Sequence, residues 1–322
     1  MTETNRKPLL ALGLMSGTSL DGIDGALLTT DGVTVSATGQ AVTVAYDAPL
    51  RDRLRAVLGR QEVDVETAAL ERDLAFAHGA VVEQLLEKAG IAAQNVDLIG
   101  FHGHTILHRP AAGITRQLGD GGLLARTLGI PVVSQFRTAD VAAGGQGAPL
   151  APLYHAARAA DLPKPLAVLN LGGVGNVTWI GADGDLLAFD TGPGNALIDD
   201  WMRRKAGRPF DADGACAARG RPDAECLQAL LSDPYFDRPP PKSLDREDFQ
   251  MPDLDGASLE DGAASLSAAT VAAVAAARRY FPAPAKRWLV TGGGRHNSFL
   301  MRSLADIMDE RVEPVEVAGW DG

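Results

Sequence analysis

Short apolar segments that end in glycine-rich turns recur along this chain, and long helical patterns separate several of them. The helical patterns span Val65–Lys88 and Ala263–Tyr280. The strand-like segments are Leu9–Met15, Ile23–Thr29, a third strand around Val33–Ser36 after the turn signal Asp31-Gly32, Asp97–Phe101, Ile130–Ser134, Leu166–Leu171, Val177–Ile180, Leu186–Phe189 and Trp288–Thr291. Strands that alternate with long helices are typical of α/β proteins, so the pattern predicts an α/β fold.

The length of 322 residues predicts two domains, since a domain commonly has about 100–200 residues. Several glycines and a proline follow Ser134 and continue to Gly147, which is typical of a connection between domains. We therefore expect one domain over residues 1–135 and a second over 136–322.

The net charge of −11 argues against nucleic-acid phosphate as the main partner. Apolar stretches are well short of the roughly 20 residues that span a bilayer, and glycines interrupt the N-terminal apolar run too early for a signal peptide. The only cysteines, Cys216 and Cys226, exclude a disulfide framework and a thiolate zinc site. These features predict a cytoplasmic protein without nucleic-acid or membrane partners.

The first candidate site is a turn between two predicted strands near the N-terminus. Its residues are Gly17, Thr18, Ser19, Leu20, Asp21, Gly22, Ile23 and Asp24. Glycine, serine and threonine offer open N–H groups and hydroxyls that suit phosphate oxygens. The two aspartates make sense there mainly if Mg²⁺ is bound as well. The alternative interpretation is a plain hairpin turn.

Two later glycine turns also follow predicted strands. One contains Gly172, Gly173 and Asn176, and the other contains Gly292, Gly293, Gly294 and Asn297. Glycines at a strand end allow a nucleotide to approach the backbone closely. Each turn alone is a weak indication, because tight turns are common, but together with the first turn they favour nucleotide binding.

Asp190 lies at the end of a predicted strand, beside Gly192, Pro193 and Gly194. A carboxylate in that position is well placed to act as a general base. The alternative is an Asx turn or an N-cap for a helix over Ala196–Lys205.

The sequence His102-Gly103-His104-Thr105 follows another predicted strand. If the strand continues, the two histidines point the same way, and we expect hydrogen bonds to a polar ligand rather than a metal site. Arg137 offers a planar fork for a carboxylate. The alternatives are structural histidines and an interdomain salt bridge.

Five segments together resemble the anhydro-N-acetylmuramic acid kinase family. They are GLMSGTSLDGID (13–24), FHGHT (101–105), FRTADVAAGGQGAPL (136–150), LNLGGVGNVT (169–178) and FDTGPGNALID (189–199). They occur in the expected order and cover nearly the whole chain. The resemblance implies a two-domain actin-like ATPase fold, related to ribonuclease H and to sugar kinases, with ATP in the interdomain cleft.

The family's reaction converts 1,6-anhydro-N-acetylmuramic acid, ATP and water into N-acetylmuramic acid 6-phosphate and ADP, in peptidoglycan recycling. The resemblance implies that the three turns bind ATP with Mg²⁺, and that Asp190 activates the water. It also implies that the His102–Thr105 segment contacts the sugar, and that Arg137 binds its lactyl carboxylate. A homodimer is expected by the same resemblance.

Two departures from the family pattern bear on these expectations. The family often has Gln where this chain has His104, so we expect the sugar contact there to differ. The family also continues into a final helix with a glutamate of the sugar site, which does not follow Val315–Gly322 here. The alternatives are another sugar kinase of the superfamily, a nucleotide-driven binding module, or a truncated chain that binds nucleotide without turnover.

Overall fold

The computed structural model describes residues 7–17, 20–62, 64–244 and 248–320. The chain divides into two compact units, Met1–Gly147 and Ala148–Gly322. The boundary thus lies later than residue 135, at the end of the glycine-rich stretch. The reason is that the helix Phe136–Ala142 packs on a strand of the first unit, and Arg137 donates a hydrogen bond to the carbonyl of Gly147.

The first unit is a mixed sheet with helices packed against it. Its strands and helices are β1 (Leu9–Ser16), β2 (Gly22–Thr30), β3 (Val35–Ala45), α1 (Ala48–Val57), α2 (Val65–Ala89), β4 (Leu98–Arg109), β5 (Ile114–Leu118), α3 (Gly121–Leu128), β6 (Val132–Ser134) and α4 (Phe136–Ala142). The strand order is β3-β2-β1-β4-β5, with β6 beside β4. Strands β1, β2 and β3 are antiparallel neighbours, whereas β4 runs parallel to β1 and β6.

The long helix α2 covers the core of this sheet. Asp64 caps its first turn by accepting a hydrogen bond from the N–H of Thr67 at 2.8 Å, and Gly90 ends it in the left-handed conformation. Leu74 and Leu85 on its inner side are fully buried in one cluster with Leu12 of β1. The apolar residues spaced along α2 therefore lie on its inner side and form the core of the first unit.

The second unit contains another mixed sheet. Its elements are α5 (Pro152–Arg158), β7 (Leu166–Leu171), β8 (Val174–Ile180), β9 (Leu186–Pro193), α6 (Ala196–Ala206), α7 (Ala224–Leu231), α8 (Leu259–Ala277), β10 (Arg287–Thr291), α9 (Ser298–Ile307) and β11 (Arg311–Pro314). The strand order is β11-β10-β7-β8-β9. Strands β7, β8 and β9 are antiparallel neighbours, and β10 runs parallel to both β7 and β11.

Strand β7 is buried on both faces, which explains its nearly continuous apolar sequence. Leu169 and Leu171 join the large core beneath α6 and α8, whereas Leu166 and Val168 join a smaller cluster on the other face. Alternation along the strand therefore separates two cores.

The predicted strands and helices are confirmed, with changes at their ends. Strand β4 continues past Phe101 to Arg109 because its second half pairs with β5. The predicted third strand, Val33–Ser36, instead spans Val35–Ala45. Among the described residues, the helices are too short or too polar to cross a bilayer.

Candidate active site

The first glycine turn joins β1 to β2. Thr18 and Ser19 lie outside the described residues. Leu20 has a positive φ of 61°, and its N–H donates to the carbonyl of Gly17 at 3.1 Å. A side chain on Gly22 would meet the carbonyl oxygen of Val44 at 2.3 Å, so only glycine fits there.

Two of the predicted ATP-binding residues in this turn direct their side chains into the protein. Leu20 and Ile23 are buried in the core of the first unit, so only their backbones are open to a ligand. Asp21 is exposed at the end of the turn. The carboxylate of Asp24 accepts a hydrogen bond from the hydroxyl of Thr43 at 2.6 Å.

The two histidines of the motif on β4 lie on either side of Gly103 and have different surroundings. Gly103 has a φ of 72°, which interrupts the alternation of side chains along the strand. His104 is fully buried, with Nδ1 3.4 Å from the hydroxyl of Ser16, and its ring meets Tyr46 edge to face. His102 contacts Arg137 instead. The two histidines therefore have different neighbours, and the expectation that they point the same way is wrong.

Arg137 of α4 makes a hydrogen bond to His102 of β4. Its Nε donates to Nε2 of His102 at 2.9 Å, and its Nη1 donates to the carbonyl of Gly147 at 2.8 Å. Burial, with the neighbouring Arg137 cation, lowers the pKa of His102 to about 4. The imidazole is therefore neutral at physiological pH and able to accept this bond. The nearby Thr105 accepts a hydrogen bond from Gln117 at 3.3 Å.

The second and third glycine turns meet at one end of the sheet in the second unit. A side chain on Gly292 (φ 76°, ψ 174°) would come within 2.3 Å of the Asn170 side chain, and one on Gly294 within 2.5 Å of Leu171. This close contact requires glycine at both positions in the turn after β10.

The second turn also supports the start of α6. The N–H of Asn195 donates to the carbonyl of Gly172 at 2.8 Å, and the N–H groups of Gly194 and Ala196 donate to that of Gly173. Asn297 caps α9 by accepting a hydrogen bond from the N–H of Leu300 at 3.0 Å. The predicted residues Gly172, Gly173, Gly292 and Gly294 therefore lie together.

A row of polar side chains crosses this sheet on one face. Thr291, Asn170, Asn176 and Asp190 are successive partners across β10, β7, β8 and β9. Directly opposed residues share a face of a sheet, so these groups project to the same side. The row ends at Asp190, and the next residue, Thr191, is the extra residue of a β-bulge. Bulges often redirect side chains next to active sites.

Asp190 is buried, with 8 % of its surface exposed. One carboxylate oxygen accepts a hydrogen bond from the N–H of Leu244 at 2.7 Å. The N-cap of α6 is Asn195, so the alternative in which Asp190 caps that helix is wrong. The geometry leaves a buried carboxylate at the end of a polar row, as a general base requires.

The segment Tyr235–Leu244 packs against Asp190. Its proline-rich sequence is typical of an ordered surface loop and does not indicate this contact. In the fold, the hydroxyl of Tyr235 donates a hydrogen bond to the backbone carbonyl of Asp190. The backbone N–H of Asp190 donates to the carbonyl of Lys242 at 3.2 Å. The burial of Lys242 is visible only in the fold, so the sequence carries no signal for this contact.

Sequence comparisons with known proteins identify one family. A family model described as anhydro-N-acetylmuramic acid kinase matches residues 9–321. The protein of that name from Paramagnetospirillum magneticum is 57% identical over 317 residues, which are 98% of this chain and 88% of the relative. The one from Rhodospirillum rubrum is 56% identical over 315 residues, 97% of this chain and 83% of the relative.

Among solved structures, component A of (R)-2-hydroxyglutaryl-CoA dehydratase from Acidaminococcus fermentans aligns with a TM-score of 0.50 at 13% identity. The alignment covers 96% of this chain and 93% of that one. At this identity the likeness concerns the fold alone. Together with the two mixed sheets, it confirms the expected α/β fold.

Proposed function

This chain belongs to the anhydro-N-acetylmuramic acid kinase family, and from that premise we propose that it both opens and phosphorylates its sugar. The substrates are 1,6-anhydro-N-acetylmuramic acid, ATP and water, and the products are N-acetylmuramic acid 6-phosphate and ADP. The observation that carries this proposal is the buried carboxylate of Asp190 at the end of the polar row.

Asp190 takes a proton from water, whose oxygen adds to the anomeric carbon of the sugar. The bond between that carbon and O6 breaks, and O6 then attacks the γ-phosphorus of ATP while ADP leaves. The N–H of Leu244 supports this role because a carboxylate that accepts a backbone hydrogen bond is held in one orientation. Phosphoryl transfer requires mainly positioning and neutralisation of charge.

We assign nucleotide contacts to the three glycine turns. Gly17 and the backbones of Leu20 to Asp24 serve in the first unit, with Thr18 and Ser19 as further predicted contacts. In the second unit, Gly172, Gly173 and Asn176 serve the phosphates, and Gly292, Gly293, Gly294 and Asn297 serve the adenosine side. The support is the close packing of these glycine turns, which leaves no room for side chains at Gly22 and Gly292.

Mg²⁺ fits this assignment. The described residues contain no cluster of three or more metal-ligating side chains. Phosphoryl-transfer sites, however, hold Mg²⁺ through one or two carboxylates and phosphate oxygens, and the exposed Asp21 is suitable for this. When bound, the ion neutralises charge on the transferred phosphoryl group.

The sugar contacts are assigned to the first unit. Arg137 binds the lactyl carboxylate through its guanidinium group, and His102 orients Arg137 through the bond between Nε2 and Nε. Thr105 and the backbone of Gly103 complete the set, with His104 behind them. The net charge of −11 argues against nucleic-acid phosphate as a partner. We further propose, from the family alone, that the protein acts in the cytoplasm, in peptidoglycan recycling, as a homodimer and without membrane partners.

The test is an assay of purified protein with 1,6-anhydro-N-acetylmuramic acid and ATP, in which the product is identified by mass. We expect the ring-opened 6-phosphate from the wild type and none from Asp190→Asn. Asp185→Asn is the matched control, because that carboxylate is exposed on the turn after β8, and its activity should equal the wild type. Phosphorylation without ring opening would indicate an ordinary sugar kinase. Nucleotide binding without any product would contradict the proposal.

A further inference from the structure

Lys242 is buried although its side chain carries a charge. Only 3 % of its surface is exposed, and the ammonium group lies 4.5 Å from the ring centre of Tyr235 and 4.6 Å from that of Tyr280. The ring of Phe189 lies 5.7 Å away. We call these three rings the aromatic cage. Lysine is seldom fully buried without such compensation, so this arrangement needs an explanation.

The ammonium group also closes the segment Tyr235–Leu244 on itself. It donates to the carbonyl of Tyr235 at 3.1 Å and to that of Phe236 at 3.3 Å. The Phe236 carbonyl additionally accepts from Tyr280 and Arg279. The lysine therefore joins the two ends of a proline-rich segment whose own backbone forms neither a helix nor a strand.

The same segment holds Asp190 at three points. The Asp190 N–H donates to the carbonyl of Lys242, its carbonyl accepts from the hydroxyl of Tyr235, and its carboxylate accepts from the N–H of Leu244. The cage includes Phe189, the residue directly before Asp190. The position of the carboxylate thus depends on a segment that Lys242 fixes.

We propose that Lys242 is a positioning residue, whose caged ammonium group keeps Tyr235–Leu244 in the conformation that orients the Asp190 carboxylate. This inference rests on the proposed function, in which Asp190 is the general base. Lys242 itself need not touch either substrate. Burial, with the neighbouring cations Arg279 and Arg238, lowers the pKa of Lys242 to about 8, which agrees with a site that is dry and crowded.

The central variant is Lys242→Met, which keeps the length of the side chain but removes its charge and its donors. We expect kcat to fall about 10- to 100-fold, because small displacements of a catalytic group cost that much. The KM for ATP should stay within about 2-fold, since the glycine turns are untouched. Because unfolded protein would also lower the apparent kcat at constant KM, kcat is calculated per ATP-binding site, counted by titration with ATP.

The matched control is Lys205→Met. The ammonium group of Lys205 also lies over an aromatic ring, 4.9 Å from the centre of Trp201, but on α6 and at the surface. Its kcat should equal the wild type. Tyr235→Phe provides a second variant, which keeps the ring over Lys242 but removes the donor to Asp190, and it should lower kcat in the same way.

The Asp190→Asn background separates the two proposals. On the residual turnover of Asp190→Asn, adding Lys242→Met should cause no further loss, because both act through one carboxylate; a further loss of about 10-fold would overturn the role of Lys242. If Asp190→Asn is inactive but Lys242→Met and Tyr235→Phe keep the wild-type kcat, the role of Lys242 is disproved and the proposed function stands. If Asp190→Asn keeps full activity, the general base is not Asp190, and both proposals fail.

Discussion

The hydroxyl of Ser16 donates to the carbonyl of Gly103 at 3.1 Å and lies 3.4 Å from Nδ1 of His104, so the last residue of β1 contacts the histidine motif of β4. Ser16 and His104 are both fully buried. The first glycine turn, which begins at Gly17, and the histidine motif are therefore held by one shared set of contacts within the first unit.

We expect Ser16→Ala to disturb both predicted sites. It removes a buried donor and leaves the Gly103 carbonyl without this partner, which should lower the free energy of unfolding by about 1–3 kcal/mol. The KM values for ATP and for the sugar should both rise. Denaturant unfolding and steady-state kinetics measure these effects. Ser36→Ala, an exposed serine of β3, should change stability by less than about 0.5 kcal/mol; equal effects of both variants would contradict the coupling.

We expect Gly292→Ala to weaken ATP binding. Its backbone conformation is accessible mainly to glycine, and a Cβ atom would lie 2.8 Å from the Leu171 carbonyl oxygen. Stability should fall by about 2–3 kcal/mol, with an increase in the KM for ATP. Gly184→Ala is the control, because its φ of 87° is also positive but nothing lies near its Cβ position. An unchanged KM in Gly292→Ala would show that this turn does not contact the nucleotide.

We expect Arg137→Lys to raise the KM for the sugar about 10-fold or more, without a comparable change for ATP. Lysine cannot donate to His102 and the Gly147 carbonyl while also presenting a planar fork to a carboxylate. Kinetics with each substrate varied in turn measure this difference. Arg116→Lys, which alters an arginine bonded to the carbonyls of Gln61 and Glu62, is the control. A parallel rise in the KM for ATP would argue against a specific sugar contact.

Acid should destabilise the protein through its buried histidines. Burial lowers the pKa of His78 and of His104 to about 4 each, so the folded state keeps them neutral where the unfolded state takes up protons. Stability is therefore lost as the pH falls from about 6.5 towards 4, and these groups have no effect above about pH 7.5.

His78→Leu should reduce the difference in the free energy of unfolding between about pH 7.5 and about pH 5 by about 1–2 kcal/mol. Urea titrations at both pH values provide the measurement. His296→Gln, at an exposed histidine, should leave the difference as in the wild type. If His78→Leu has the same pH dependence as the wild type, the buried neutral histidine is not its cause.

The alternation of apolar strands, glycine turns and long helices determined the α/β class and the approximate bounds of most elements, because side-chain periodicity and backbone freedom are local properties. The motifs likewise identified Asp190 and the glycine turns of the second unit, which the fold brings to neighbouring strands. Local spacing was insufficient at Gly103, where one positive φ separates His102 from His104.

Only the tertiary structure decided what surrounds Asp190. Leu244 and Tyr235 lie 54 and 45 residues away along the chain, and Lys242 stands in a segment whose composition is that of an exposed loop. Nothing in that composition states which strand the segment will cover. The segment Tyr235–Leu244 is held on β9 by the aromatic cage and by hydrogen bonds to backbone groups that this edge strand leaves unpaired in the sheet. Both kinds of contact form only once distant parts of the chain have packed together.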